Sequence, residues 1–183
     1  MNYVILSFFF FLPFIGQAKP LALRNRNENN TQIISIKKMH QLAPKVPITT
    51  LVLASNAYIK AKQLGAVKKP ILTVIDYTQP SSEKRLWVFD VNKRLLLFNT
   101  FVAHGQKSGG LYATHFSNTP QSKESSIGTY VTQNTYQGGK GYSLNLKGLE
   151  TLSNSNAFNR RIVMHGAWYV TDEFVRSHGR AGR

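Results

Sequence analysis

ILTVIDY (71–77) and RLWVFDV (85–91) are the two stretches on which the fold turns. Each is a short run of β-branched, aliphatic and aromatic side chains, the kind that suits a pleated, half-buried surface. TQPSSEK joins them, and its Pro80, Ser81 and Ser82 supply a turn. A second turn at Val91-Asn92-Lys93 leads into RLLLFNTFVAHG, so the three runs read as a β-meander. GTYVT, YSLNLKGL and RRIVMHG repeat the strand signal, separated by clusters of Gly, Ser and Asn. The spacing predicts a mainly antiparallel β domain over residues 71–183, with no repeat of fixed period.

Upstream of this block the pattern changes. From Ile48 to Gly65 the apolar positions Leu51, Ala54, Ala57, Tyr58, Ala61 and Leu64 recur at steps of three and four, which predicts an amphipathic helix ended by Gly65. Residues 19–47, with RNRNENNTQ at their centre and Pro44 and Pro47 near their end, hold neither period and read as an exposed polar leader. Residues 1–18 run apolar from Tyr3 to Ile15 and then place Gly16 and Ala18 in the small-residue spacing of an export cleavage site. The expectation is a signal peptide and a protein exported to the periplasm or cell envelope. The run is shorter than the roughly 20 residues of a membrane span, so membrane attachment would come only through an uncleaved signal segment.

The charge balance narrows the partners. With 23 Lys and Arg against 8 Asp and Glu, the net charge is +15, which favours an anionic surface or polyanion. There is no cysteine, so an exported form draws no stability from disulfides. Nucleic acid is disfavoured, because export argues against it and no basic helix or stacking platform is evident.

Two histidines, His104 and His165, share one setting: an apolar run followed by His-Gly. A strand end presents an imidazole rigidly, and the glycine after it, Gly166 in the second copy, lets a substrate approach the backbone closely. A histidine that only caps a strand explains either copy as well.

Several separate motifs, in order, resemble the murein L,D-transpeptidase catalytic domain: SSEKRLWVFDVNKRLLLFNTFVAHGQKSGG, THFSNTPQSKESSIGTY, GYSLNLKGLE and NRRIVMHGAWYV. The resemblance runs from Ile71 to the end. It implies an antiparallel β-sandwich or barrel with one N-terminal helix, acting on peptidoglycan stem peptides without a cofactor. In the family a cysteine attacks the amide between meso-diaminopimelate and D-alanine, and the acyl group passes to an amine on a neighbouring stem. His165 matches the family's base, which a thiol with a free pKa of about 8.5 requires. His104, Lys107, Ser108 and Gly109 resemble the outer substrate wall, while Ser117, Asn118, Ser122, Ser125 and Ser126 offer hydrogen bonds to a peptide or simply form turns. The family's oxyanion turn has the form GR-x-GR-S-x-G-C-P, and this sequence supplies Gly179, Arg180, Ala181, Gly182 and Arg183 of it. Arg180 and Arg183 suit a carboxylate held bidentately, or a frayed basic terminus. By the resemblance, the nucleophile and a final strand would follow Arg183. A missing strand would leave an open sheet edge prone to association. The expectation is therefore a domain with its base but without its nucleophile, incomplete at its C-terminal side and inactive.

Other chemistries fit less well. Ser81-Ser82-Glu83-Lys84 matches the S-x-x-K of penicillin-binding proteins, with Ser143-Leu144-Asn145 and Lys107-Ser108-Gly109 resembling their other motifs, but in the wrong order. Three imidazoles at His104, His115 and His165 would suit zinc, yet no helix spacing supports the set. QGGKGYS lacks the glycine and hydroxyl positions of a phosphate loop. Trp168 and Tyr169 read as core or cleft wall, and Arg160 and Arg161 as exposed. The rival from another class is a non-catalytic, cationic wall-binding module whose affinity falls as salt rises.

Overall fold

A computed structural model describes the backbone of residues 4–8 and the whole of residues 35–182. The chain is mainly β. Strand β1 (Val4–Phe8) is followed by helices α1 (residues 35–42) and α2 (Ile48–Gln63). Then come β2 (Ile71–Asp76), β3 (Leu86–Asp90), β4 (Leu95–Thr100), β5 (Gly128–Gly138), β6 (Gly141–Gly148), β7 (Val163–His165), a 3-10 turn at Trp168–Val170 and α3 (Asp172–His178). The sheet order is β4-β3-β2-β1-β5-β6-β7. Two antiparallel three-stranded units, β4-β3-β2 and β5-β6-β7, are joined by β1, which lies parallel to β2 and antiparallel to β5.

The meander folds as its sequence predicts. Ile71 pairs with Asp90 and Ile75 with Leu86, so the β2–β3 hairpin is in register, and its outer neighbour β4 is shifted by a bulge at Val88/Phe89. β2 is buried from Leu72 through Asp76 and so reads as a nearly continuous apolar run. Edge strand β4 is the reverse: Leu95, Leu97 and Phe98 are all exposed, Phe98 by 66%. Helix α2 follows its period, burying Leu51, Ala54, Tyr58 and Ala61 against the sheet, and Gly65 ends it at φ 68°. Leu64, read as part of the stripe, is instead the exposed cap residue.

Three departures have physical causes. The exposed leader expected over 19–47 is not exposed in its last part. α1 and the turn after it bury Ile36, Met39, Ala43 and Val46 in the same core as α2 and β2. Their spacing is helical, but the apolar face is only four residues long and is hidden between polar flanks. Second, the expected single N-terminal helix has company in α1 and the short α3. Third, five residues of the segment read as a signal peptide form β1 in the intact chain. Strand pairing and removal on export are alternative fates of those five residues. The rest of that segment, and RNRNENNTQ, fall outside the described residues. Among the described residues no helix is long and apolar enough to cross a membrane.

Candidate active-site cleft

β7 ends at His165, paired through Ser143 of β6, so the imidazole leaves a hydrogen-bonded strand as its His-Gly setting predicts. Its Nδ1 lies 2.8 Å from the carbonyl oxygen of Gly166. A carbonyl only accepts, so Nδ1 carries a proton, and in the neutral ring the lone pair then lies on Nε2. Gly166 has open space around its α-carbon, and its contribution is the carbonyl that orients the ring. His165, Gly166, Ala167, Trp168 and Tyr169 line an open cleft of about 300 Å³, together with Gly139 and Lys140 at the tip of the β5–β6 hairpin. Trp168 is 64% exposed and packs edge-on against Tyr169 and Phe174, whose ring stacks on His178 at 3.9 Å. Lys140 lies in QGGKGYS, whose glycines signal only a turn, so its place in the cleft has no sequence signal.

The turn Gly179–Gly182 lies beside this cleft. α3 is capped by Thr171, whose hydroxyl accepts from the Phe174 amide, and it ends at Gly179 in the left-handed region at φ 69°. The Gly182 amide then donates to the carbonyl of Tyr169, a cleft residue, at 2.9 Å. Ala181 is buried, and its amide donates to the carbonyl of Ser81. Arg180 is exposed and reaches the neighbourhood of Gly110. Arg183 lies outside the described residues.

His104 is placed differently from His165. β4 stops at Thr100, so His104 sits in an irregular segment and not at a strand end. Its Nδ1 is 2.8 Å from Nη2 of Arg85, which can only donate, and its Nε2 donates to the Gly109 carbonyl at 3.2 Å. Both ring nitrogens are thus engaged internally. Burial, then the Arg85 cation, holds the His104 imidazole below its ordinary pKa of 6.5. The folded chain therefore takes up its proton later than the unfolded chain as pH falls. Stability from this group is complete above pH 6.5 and is lost as pH drops from there through the lowered folded value. Urea midpoints measured between pH 7.5 and pH 5 should fall, and His104→Gln should flatten that slope.

The expected peptide-binding hydroxyls also turn inward. Ser108 is fully buried, its Oγ accepting from the Ser125 amide at 2.7 Å, and Ser125 Oγ accepts from the Gly105 amide. Ser126 Oγ donates to the Ser117 carbonyl, Ser122 Oγ accepts from the Glu124 amide, and Asn118 binds Asn156 and Ser155. Gly109, at φ 143° with its α-carbon against the Tyr112 carbonyl, has no room for a side chain. Lys107 alone of that group points outward.

Arg160, expected to be merely exposed, is the hub that holds this segment. Its guanidinium donates to the Ser117 carbonyl, to Ser126 Oγ at 2.5 Å, to Ser122 Oγ at 2.8 Å and to the Glu124 carbonyl at 2.7 Å. A fork of fixed donors suits several acceptors at once, which a lysine does not. Arg160→Ala should cost about 2 kcal/mol by leaving these acceptors unpaired. Urea unfolding checks the loss, and Arg160→Lys should recover only part of it.

The rival chemistries find no geometry. Ser81 is fully buried, its Oγ has no partner among the described residues, and Lys84 pairs with Asp172 at 3.1 Å. Among the described residues no three His, Asp or Glu side chains are grouped to hold a metal, and His104, His115 and His165 have separate surroundings.

The site is a strand-end histidine with one nitrogen tied to a carbonyl, in a cleft whose Tyr169 also accepts from a glycine-rich turn, on a β scaffold. The family profile described as the L,D-transpeptidase catalytic domain matches residues 42–183, and the chain belongs to that family. The match begins before α2 and runs through the β scaffold. Membership supports a cell-wall partner. No curated protein and no solved structure matches the chain.

Proposed function

We propose that this chain carries the base and cleft of a murein L,D-transpeptidase of peptidoglycan remodelling, working on stem peptides outside the cytoplasmic membrane. The observation that carries the reading is His165 at the end of β7, its Nδ1 bonded to the Gly166 carbonyl, in a cleft whose Tyr169 accepts from the Gly182 amide of the glycine-rich turn. In the reaction, Nε2 takes the proton of a thiol, and the thiolate attacks the amide carbonyl between meso-diaminopimelate and D-alanine. The imidazolium returns the proton to the departing D-alanine amine. The thioester then passes its acyl group to an amine of a second stem, or to water in a carboxypeptidase reaction. Backbone amides of the turn would stabilise the tetrahedral oxyanion.

These 183 residues contain no cysteine, so this polypeptide offers no thiol to acylate. A polypeptide of these 183 residues alone is expected to be held by wall without releasing D-alanine, and the +15 charge favours the anionic envelope. Pull-down on purified sacculi, set beside assay of D-alanine release from tetrapeptide muropeptides, tests both halves. Retention that weakens with salt and no release are expected. Release by the thiol-free chain would overturn the mechanism, and no retention at low salt would overturn the binding.

A further inference from the structure

Trp168 is the large apolar side chain that the cleft leaves in water. Of the two tryptophans in the chain, Trp87 is 2% exposed and Trp168 is 64% exposed. An aromatic side chain can bury about 150–250 Å², so an indole kept outside the core forgoes a large stabilisation. The ring is nevertheless braced. Its backbone lies in the 3-10 turn, where the Val170 amide donates to the Ala167 carbonyl at 3.2 Å and Thr171 Oγ1 donates to the Trp168 carbonyl at 3.1 Å. Tyr169 and Phe174 stand nearly perpendicular to the indole, with centroids 5.5 and 5.2 Å away, and Phe174 is itself stacked on His178. A ring that is supported by its neighbours and still open to water is a platform whose ordering cost is already met.

The chemistry of the cleft wall selects the partner. Meso-diaminopimelate and D-alanine carry amines, carboxylates and one methyl group, and neither has an apolar face the size of an indole. The glycan strand that bears the stems does have one. Each pyranose ring presents a flat face of C–H bonds, whose positive hydrogens meet the negative face of an aromatic ring, and hydroxyl and acetamido groups surround that face. Trp168 shares its cleft with Lys140, so the indole N–H and the lysine ammonium supply donors for those surrounding oxygens. The rest of the wall, Gly139, Gly166 and Ala167 beside His165 and Tyr169, is small or polar-tipped. That is too little apolar surface for a protein interface, but it suits a sugar with one apolar face and a polar rim.

We propose that Trp168 is a saccharide subsite, stacking one N-acetylhexosamine ring of a glycan strand beside His165. The subsite rests on the reading of the cleft as one for peptidoglycan, and it adds the glycan to the stem as a ligand. A stem presented on its own glycan is then held at two points, the peptide near the imidazole and the sugar on the indole.

Because Trp87 lies in the core, the solvent-sensitive fluorescence of the unaltered full chain reports Trp168 directly. Titration with the N-acetylglucosamine tetramer should shift the emission to the blue, saturably, and protect it from quenching by acrylamide. That probe is uncharged, so added salt should leave the titration unchanged, unlike binding through the +15 charge. Co-sedimentation with glycan strands whose stems an amidase has removed extends the test to variants. Trp168→Ala should weaken retention there about 10-fold, and Trp168→Phe, which keeps a ring face, only a few-fold. Stem peptides freed of glycan are titrated in parallel. Binding of those peptides with no emission change on the tetramer overturns the saccharide subsite and leaves the stem-peptide reading standing. Binding of the tetramer without binding of the peptides upholds the subsite and removes the stem-peptide reading. Equal retention of Trp168→Ala and the unaltered chain at high salt also overturns the subsite, because the glycan is then held elsewhere. The titration of the unaltered chain decides the matter even where Trp168→Ala does not fold.

Discussion

Arg85→Ala is expected to destabilise the chain by about 3–5 kcal/mol, a fall in melting temperature on the order of 10 °C for a domain this size. Arg85 is fully buried, and its guanidinium is the cross-link between the β2–β3 hairpin and the segment that leads to His104. Nη1 donates to the Gln79 carbonyl at 2.7 Å, Nε and Nη2 donate to the Val102 carbonyl, and Nη2 also donates to His104 Nδ1. The ring of Tyr77 lies 4.9 Å away beneath the cation. Burial pulls the guanidinium down to about 10, so it remains protonated at neutral pH. The charge is held by carbonyls and a ring face, and among the described residues no carboxylate is in salt-bridge contact with it. Truncation leaves two carbonyls and an imidazole nitrogen without donors in the interior, at about 1–3 kcal/mol each before relaxation. Arg85→Lys keeps the charge but has no fork to reach three acceptors in different directions, and should recover less than half of the loss. Urea unfolding with an unchanged m-value measures it. A loss below about 1 kcal/mol would mean that the fork is not the tie described.

That arginine also shows where sequence reading stops. RLWVFDV announces a strand by its side-chain types, and β3 forms within one residue of it, but Arg85 at its head looks like any polar strand end. Only the fold brings Val102 and His104 to it, across 17 and 19 residues of sequence. The same applies to Arg160, whose acceptors lie 34 to 43 residues away. Periodicity reports burial along one element, so α2, β2 and β3 were legible. Hydrogen bonds between irregular segments leave no period, so the inward turn of Ser108, Ser125 and Ser126 was not. α3 did leave a signal: Thr171 before Asp172 and Glu173, then Gly179 at the end, is a capped helix in miniature. His165 stands at a strand end as its local sequence implies, whereas His104 shares the dipeptide but lies beyond the end of β4. The central position of Val4–Phe8 was hidden because an apolar run without charge serves an export signal and a buried strand equally.

The other large effect concerns His165 and requires a thiol. In a chain continued past Arg183 by the family's Ser-x-Gly-Cys sequence, His165→Ala should lower the rate of D-alanine release by about 100- to 10,000-fold. The reasoning starts from the tautomer. With Nδ1–H bonded to the Gly166 carbonyl, Nε2 is the basic atom, and its position is set by β7 and not by a mobile loop. A thiol with a free pKa of about 8.5 is mostly protonated at neutral pH, so removing the acceptor of its proton reduces the thiolate available for attack. The imidazole has a second task, returning the proton to the leaving amine, which a high-pH rescue of the thiolate does not replace. His165→Ala should therefore remain slow at pH 9, where thiolate alone is no longer scarce. His165→Gln should fare no better, since its amide is no base. His104→Gln should leave release within a few-fold of the unaltered extended chain, because His104 faces Arg85 and Gly109 and not the cleft. Equal damage from both histidine variants would place the base outside the cleft that β7 builds.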